Sequence, residues 1–181
     1  MRELLQSSAE EACNVGPDMK YRHTMITGDA GAGKSYSVME AAKQCGHTSY
    51  TIQGQASLFG MAQTLAVLKA KNWDNPVVVV VDDCDFMFND KDSINVMKGI
   101  LDPAGGKFAY GKSININVIP EGPKRDAMEL FMSDTEQGFV IPLENFHFVF
   151  TSNAQLPTNK TKKELLVKSK GMMTPTINPL I

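Results

Sequence analysis

Residues 28–35 read Gly-Asp-Ala-Gly-Ala-Gly-Lys-Ser and match the pattern G-x-x-x-x-G-K-[ST]. A polyphosphate requires many backbone N–H donors turned toward it, and glycines allow the chain to wrap that tightly. We therefore predict a phosphate-binding loop, in which Lys34 contacts the β- and γ-phosphates and the Ser35 hydroxyl ligates Mg²⁺. The predicted binding residues are Gly28, Asp29, Ala30, Gly31, Ala32, Gly33, Lys34, Ser35 and Tyr36. We expect a helix to begin near Gly33 and to direct its positive N-terminus at the phosphates.

The flanking segments are those that such a loop requires, a strand before it and a helix after it. His23–Thr27 is rich in β-forming residues, and apolar residues then recur at helical spacing up to Gly46, a predicted helix end. Residues 106–113, Gly-Lys-Phe-Ala-Tyr-Gly-Lys-Ser, match the same pattern without this context. They follow a predicted turn and lead into Ile114–Val118, whose two-residue alternation predicts a half-buried strand. We interpret this second match as a hairpin or an insertion loop.

The rest of the chain alternates between predicted strands and helices. Five successive valines, 77–81, leave no polar face for water, which is typical of a strand buried on both faces of a parallel sheet. Further strands are predicted at 49–52, 139–141 and 146–151, and further helices at 2–13, 56–70, 90–101, 124–132 and 161–170. In the helix 56–70 we assign Lys69 to the polar face. This order predicts an α/β fold, a three-layer P-loop NTPase fold with a mainly parallel sheet flanked by helices.

Composition and charge are those of an ordinary globular domain. The 181 residues carry a formal net charge of −2, with 43% hydrophobic and 21% charged residues, and nothing indicates bulk affinity for nucleic acid or a membrane. The three cysteines (Cys13, Cys45 and Cys84) form no C-x-x-C, which favours a reducing cytoplasm over a disulfide scaffold or a zinc site. The lysines between 160 and 170 are interpreted as a solvated helix face, with a local basic patch as the alternative. We divide the chain into an N-terminal segment (1–22), a nucleotide-binding core (23–160) with an irregular insertion (103–145), and a C-terminal helix and tail (161–181).

Polar residues follow three of the predicted strands at their carboxyl ends, where ligands of parallel sheets bind. Gly28 follows the first strand, Asp82 and Asp83 follow the valine strand, and Asn153 follows the strand 146–151. We expect Asp82 to hold Mg²⁺ opposite Ser35 and Asp83 to polarise the water that attacks the γ-phosphate. We expect Asn153 to hydrogen-bond that water or the phosphate. The catalytic set is therefore predicted as Lys34, Asp83 and Asn153, with Mg²⁺ and ATP as cofactors. Loop-capping and turn-forming roles for Asp83 and Asn153 stay open, as does Asp85 as a reserve acid.

The order of these three blocks resembles the AAA+ ATPase family. Gly28–Ser35 resembles Walker A, Val77–Asp83 resembles Walker B, and Phe148–Asn153 resembles sensor 1. The segments 82–85 and 95–102 are also similar to AAA+ ATPases of tailed bacteriophages. The resemblance covers about residues 20–160, and it implies a homo-oligomeric ring that uses ATP to move a polymer, either DNA or protein. Leu58-Phe59-Gly60 is similar to the pore loop of the family's unfoldases, although packing in the core is the favoured interpretation.

The chain departs from the family in two respects. The family places Glu where this chain has Asp83, and a shorter side chain is expected to slow hydrolysis. The family also places an arginine finger and a helical lid after sensor 1, whereas the only arginines here are Arg2, Arg22 and Arg125. We expect either that the sequence is a fragment that stops before the finger and lid or that a partner supplies the arginine. Arg125 is a further candidate.

Three other functions compete with the ATPase interpretation. A GTPase is suggested by Asp102–Gly105 (D-x-x-G) and by Asn159-Lys160, although Lys162 stands where guanine recognition needs an acid. A small-molecule kinase would need a pair of lid arginines and an acceptor pocket, neither of which the sequence shows plainly. A non-hydrolysing scaffold that binds ATP to stabilise an assembly is favoured by Asp83 and by the missing arginine.

Overall fold

The computed structural model describes residues 23–53, 56–84, 87, 91–102, 106–111, 115–132 and 138–153. The predicted helices 2–13 and 161–170, the lysine-rich segment, Arg2, Arg22, Asp85 and the Asn159–Lys162 segment lie outside the described residues. None of the described helices is both long enough and apolar enough to cross a membrane.

The main sheet of the described residues contains four parallel strands in the order β1-β6-β3-β2. Their bounds are β1 (His23–Thr27), β2 (Thr48–Gln53), β3 (Val77–Asp82) and β6 (Phe146–Ser152). The strand β1, which precedes the predicted phosphate loop, therefore pairs with β6, and the valine strand β3 pairs with the other edge of β6. This arrangement confirms the predicted α/β fold with a parallel sheet flanked by helices.

Helices cover both faces of the main sheet. They are α1 (Lys34–Gln44), α2 (Leu58–Lys71), α3 (Lys91–Ile100) and α4 (Pro123–Leu130). Val78 and Val80 pack with Val149 against α1, whereas the odd-numbered valines of β3 pack with the phenylalanines of β6 against the other three helices. Successive strand residues point to opposite faces, so a run of five valines supplies both layers of the core.

The predicted insertion contains a small second sheet. The strands β4 (Lys107–Tyr110) and β5 (Phe139–Pro142) pair antiparallel. The described part of the second G-x-x-x-x-G-K-[ST] match is thus mainly strand, but its partner β5 lies beyond a 3₁₀ helix and α4, so the pair is part of an insertion and not a simple hairpin. Its first glycine has a packing role, because a Cβ added at Gly106 would lie 2.3 Å from the carbonyl oxygen of Ile100.

The strand predicted at Ile114–Val118 is wrong. Ile116–Val118 forms a short 3₁₀ helix, and the side chain of Asn115 accepts a hydrogen bond of 3.1 Å from the N–H of Asn117. Asparagine side chains compete for nearby backbone donors and so favour turns over strands. Ile116 is half-buried whereas Val118 is 70% exposed, so these two residues do not share a buried face.

The assignment of Lys69 to a polar face is also wrong. Lys69 is fully buried, and its Nζ donates to Trp73 O (2.9 Å), Glu144 Oε1 (2.6 Å) and Asn145 Oδ1 (2.7 Å). The aliphatic part of a lysine packs like an apolar side chain when its ammonium group finds acceptors. Lys69 therefore joins the end of α2 to the turn before β6, away from the strand ends that carry the predicted site.

Candidate functional site

Two of the three glycines in the loop between β1 and α1 have backbone conformations that favour glycine. Gly31 (φ 75°) and Gly33 (φ 81°) are left-handed, a region that other residues enter only at a cost. Gly33 also caps the N-terminus of α1. Gly28 N–H donates to the carbonyl of Ser152 at 3.3 Å, which ties the start of the loop to the end of β6.

Lys34 lies under this loop and is 7% exposed. Its Nζ donates to the carbonyl oxygens of Gly28 (3.0 Å) and Asp29 (2.9 Å) and to Asn153 Oδ1 (2.9 Å). A buried ammonium group needs such acceptors because desolvation without them is costly. The positive charge is therefore fixed at the place where the loop and the end of β6 meet.

Ser35 and Asp82 form the second contact between the loop and the sheet. The Ser35 hydroxyl and the Thr151 hydroxyl both donate to Asp82 Oδ1. Burial raises the pKa of Asp82, but these two hydrogen bonds and the positive charge of Lys34 outweigh it and hold that pKa below its ordinary value of 3.8. Asp82 is therefore an anion at neutral pH, as a metal-binding carboxylate has to be.

Asp83 and Asn153 form the third contact. Asn153 Nδ2 donates to Asp83 Oδ1 at 2.6 Å, so the amide of Asn153 bridges Lys34 and Asp83. The strand order explains this, because β6 lies between β1 and β3 and its carboxyl end lies between the loop and the acid pair. Asp83 has φ 53°, and Asp and Asn tolerate this left-handed conformation better than most residues.

These residues surround a cleft of about 300 Å³. It is lined by Ala30, Gly31, Gly33, Lys34, Ser35, Tyr36, Asp82, Asp83 and Asn153. Nine predicted site residues thus share one cavity, at the lower end of the size range of small-molecule sites. Gly28 and Asp29 do not line it but hold Lys34 through their carbonyls, and the Ala32 N–H is turned to Asp29 O at 3.3 Å. Tyr36 stands at the rim with 71% of its surface exposed.

The oxygen atoms that the cleft offers as metal ligands fit Mg²⁺. Mg²⁺ prefers oxygen ligands, takes few of them from the protein and keeps several waters. Ser35 and Asp82 are in direct contact and supply one hydroxyl and one ionised carboxylate. The described residues contain no group of three or more His, Cys, Asp or Glu side chains that could hold a metal ion.

Two other predicted features lie apart from this cleft. Arg125 is on α4, where its Nε donates to Glu129 (2.9 Å) and an amino group donates to Asn117 Oδ1 (3.1 Å). It is not among the residues that line the cleft. Leu58 and Phe59 are half-buried in the first turn of α2 and pack against the main core, which agrees with the favoured interpretation of that segment.

Thr151 is the site residue that the sequence reasoning missed. It is fully buried on β6 and contacts both residues of the acid pair. The signal was available, since strand alternation puts Val149, Thr151 and Asn153 on the same face. Thr151 is the polar residue two positions before the predicted site residue Asn153, so its hydroxyl could have been expected to face the site.

No model of a known protein family and no curated protein matches this sequence.

Proposed function

We propose that the protein binds Mg²⁺·ATP in the cleft and hydrolyses it, as the nucleotide-binding domain of an AAA+-type motor or remodelling protein. The observation that carries this proposal is the joining of three strand ends by side chains. Lys34 contacts Asn153, Asn153 contacts Asp83, and Ser35 contacts Asp82. A loop of unrelated function would not need a buried lysine, an ionised carboxylate and a hydroxyl around one cavity.

Each side chain has a task that its contacts support. The Ser35 hydroxyl donates a hydrogen bond to Asp82 Oδ1, which leaves the lone pairs of the serine oxygen for Mg²⁺. Lys34 supplies a fixed positive charge for the β- and γ-phosphates. Mg²⁺ would neutralise phosphate charge in phosphoryl transfer, which depends mainly on positioning and charge neutralisation. Asp83 and Asn153 both line the cleft and are hydrogen-bonded to each other, and in this proposal they orient a water molecule there.

The backbone conformation at position 83 explains why this chain has Asp where the AAA+ family places Glu. The residue after β3 has a positive φ, which favours Asp over the longer and less locally bonded Glu. The carboxylate also reaches Asn153 directly. We therefore infer that a short acid is what this turn requires, and that hydrolysis proceeds with Asp83 in the water-orienting role.

A second candidate function is an ATP-dependent assembly component that does not hydrolyse ATP by itself. The observation that favours it is Arg125, the one arginine in the described ranges, which is bound to Glu129 and Asn117 outside the cleft. An arginine supplied to such sites is worth about 10³–10⁵ in rate. On this view a homo-oligomeric ring or another partner completes the site, and a DNA or protein polymer is the substrate.

Isothermal titration calorimetry with Mg²⁺·ATP tests the proposal. Wild type is expected to bind, Lys34→Ala to lose at least about tenfold in affinity, and Lys43→Ala to bind as wild type. Lys43 is a matched control because it is an exposed lysine on the same helix. Equal binding by the two alanine variants would falsify the proposal.

Nucleotide choice and turnover separate the alternatives. Phosphate release without any acceptor favours an ATPase over a small-molecule kinase. Tighter binding of GTP than of ATP would favour the GTPase interpretation. Binding without turnover, at every protein concentration tested, would favour the scaffold.

A further inference from the structure

We propose that Thr151 is a positioning residue for the Mg²⁺ site, which it serves by orienting both Asp82 and Asp83 through a single hydroxyl group. This inference rests on the proposed function, because it assigns a role toward the metal of that same cleft. It goes further because it assigns a role to a buried residue that is not among the predicted metal or phosphate ligands. It also predicts an effect that is specific to the metal.

The sheet register puts Thr151 beside the acid pair. In the pairing of β3 with β6, Val80 is opposite Val149 and Val81 is opposite Phe150. Continuing that register brings Asp82 alongside Thr151. On the other edge of β6, Thr151 is opposite Ile26 of β1, the strand that leads into the phosphate loop. Thr151 is thus between the loop strand and the acid strand, on the face that α1 covers.

The Thr151 hydroxyl is satisfied in both of its hydrogen-bonding capacities. It donates to Asp82 Oδ1 and accepts from the backbone N–H of Asp83 at 3.4 Å. Thr151 is fully buried, so leaving either capacity unmet would be costly. The same oxygen atom therefore fixes the carboxylate of one acid and the backbone of the next.

The contact with Asp82 determines how that carboxylate faces the cleft. Oδ1 receives hydrogen bonds from Ser35 on one side and Thr151 on the other. With two hydroxyls on one oxygen, rotation of the carboxylate about its last bond is restricted. Partners that hold a metal-binding side chain in this way typically change metal affinity by about 10–100-fold when removed.

The contact with Asp83 supports an unfavourable backbone conformation. Asp83 is the single described non-glycine residue with a positive φ, and its N–H is directed into the sheet at Thr151. Strained residues persist where the surroundings hold them firmly. Loss of the Thr151 hydroxyl would therefore loosen the turn that carries Asp83 and the adjacent end of β3 that carries Asp82, while the phosphate loop itself stays in place.

Four variants separate positioning from general packing. Thr151→Val keeps the shape and removes the hydroxyl, Thr151→Ser keeps the hydroxyl, and Thr151→Cys keeps a weak donor. Thr24→Val is the matched control, because Thr24 is a buried threonine on the neighbouring strand and lies outside the cleft. Circular dichroism establishes that each variant is folded.

The measurement is the Mg²⁺ concentration that gives half-maximal ATP binding by calorimetry, with ADP binding in EDTA as the metal-free reference. We expect Thr151→Val to need about 10–100-fold more Mg²⁺. Thr151→Ser and Thr24→Val are expected to stay within about twofold of wild type, and metal-free ADP binding is expected to change less than about twofold in every variant. Thr151→Cys is expected between Ser and Val, and it decides the matter if the valine variant does not fold.

Two results overturn the inference while the proposed function stands. One is an unchanged Mg²⁺ requirement in Thr151→Val or, failing that variant, in Thr151→Cys. The other is an equal loss of metal-free ADP binding, which would indicate a structural role only. If wild type gives no binding heat with Mg²⁺·ATP, the proposed function fails and this inference fails with it.

Discussion

The left-handed backbone at Asp83 leads to a prediction about stability that does not depend on any ligand. Asp83 has φ 53°, immediately after the buried strand that forms the centre of the core. In this region a Cβ approaches the neighbouring carbonyl oxygen, which costs roughly 1–2 kcal/mol for an L-residue. Glycine has no Cβ and escapes that cost.

Comparison of Asp83→Gly with Asp83→Ala isolates this term. Both substitutions remove the hydrogen bond from Asn153 Nδ2, so its loss cancels in the difference between them. The alanine variant retains the Cβ clash, whereas glycine relieves it but gains backbone freedom in the unfolded chain, worth about 0.4–1 kcal/mol. We therefore expect the glycine variant to be more stable than the alanine variant by about 0.8 kcal/mol, within a range of about 0–1.6 kcal/mol.

Equilibrium urea unfolding, followed by far-UV circular dichroism, measures this difference. Linear extrapolation gives the free energy of unfolding of each variant, and equal m-values indicate that the variants expose the same surface on unfolding, so that their free energies can be compared. An alanine variant that is more stable than the glycine variant refutes the left-handed assignment. The backbone explanation of why this position carries Asp would then fail as well. Under that explanation Asp83→Glu hydrolyses ATP no faster than wild type, and without it Asp83→Glu would be expected to hydrolyse ATP faster.

Three further predictions concern other parts of the molecule. The pKa of Asp82 is lower in the folded protein than the value of 3.8 expected in the unfolded chain, so its ionisation stabilises the fold above that pH and the stabilisation is lost as the pH falls through the folded pKa. Wild type should therefore lose more free energy of unfolding than Asp82→Asn when both are acidified from about pH 5. Parallel pH profiles of the two proteins would contradict this prediction. Gly106→Ala should lower the stability of the protein by about 1–3 kcal/mol without changing its nucleotide affinity, because the added Cβ would lie 2.3 Å from a carbonyl oxygen. Gly111→Ala is the control in thermal melts, because a Cβ added there meets no atom within 4 Å. Lys69→Met should lower the free energy of unfolding in urea by about 2 kcal/mol, because it leaves the acceptors Trp73 O and Asn145 Oδ1 without their hydrogen-bond donor. Lys71 is an exposed lysine on the same helix, so Lys71→Met should be nearly neutral.

Local patterns sufficed to predict the main elements of this chain. The glycine spacing of the loop, the five valines and the helical periodicity after Gly33 are short-range signals, and each depends on residues within a few positions of one another. The convergence of Gly28, Asp82, Asp83 and Asn153 also followed from the sequence, because carboxyl ends of parallel strands lie at the same edge of a sheet. The pattern failed at Ile114–Val118, where the side chain of Asn115 closed a local turn.

Only the tertiary structure decided which side chains contact each other within that edge. The position of β6 between β1 and β3 determines that Asn153 bridges Lys34 and Asp83 and that Thr151 reaches both acids. The burial of Lys69 depends on Glu144 and Asn145, more than 70 residues away along the chain. Periodicity reports which residues face inward, but it carries no information about which distant segment supplies the neighbour, since strand order and register are set by packing of the whole core.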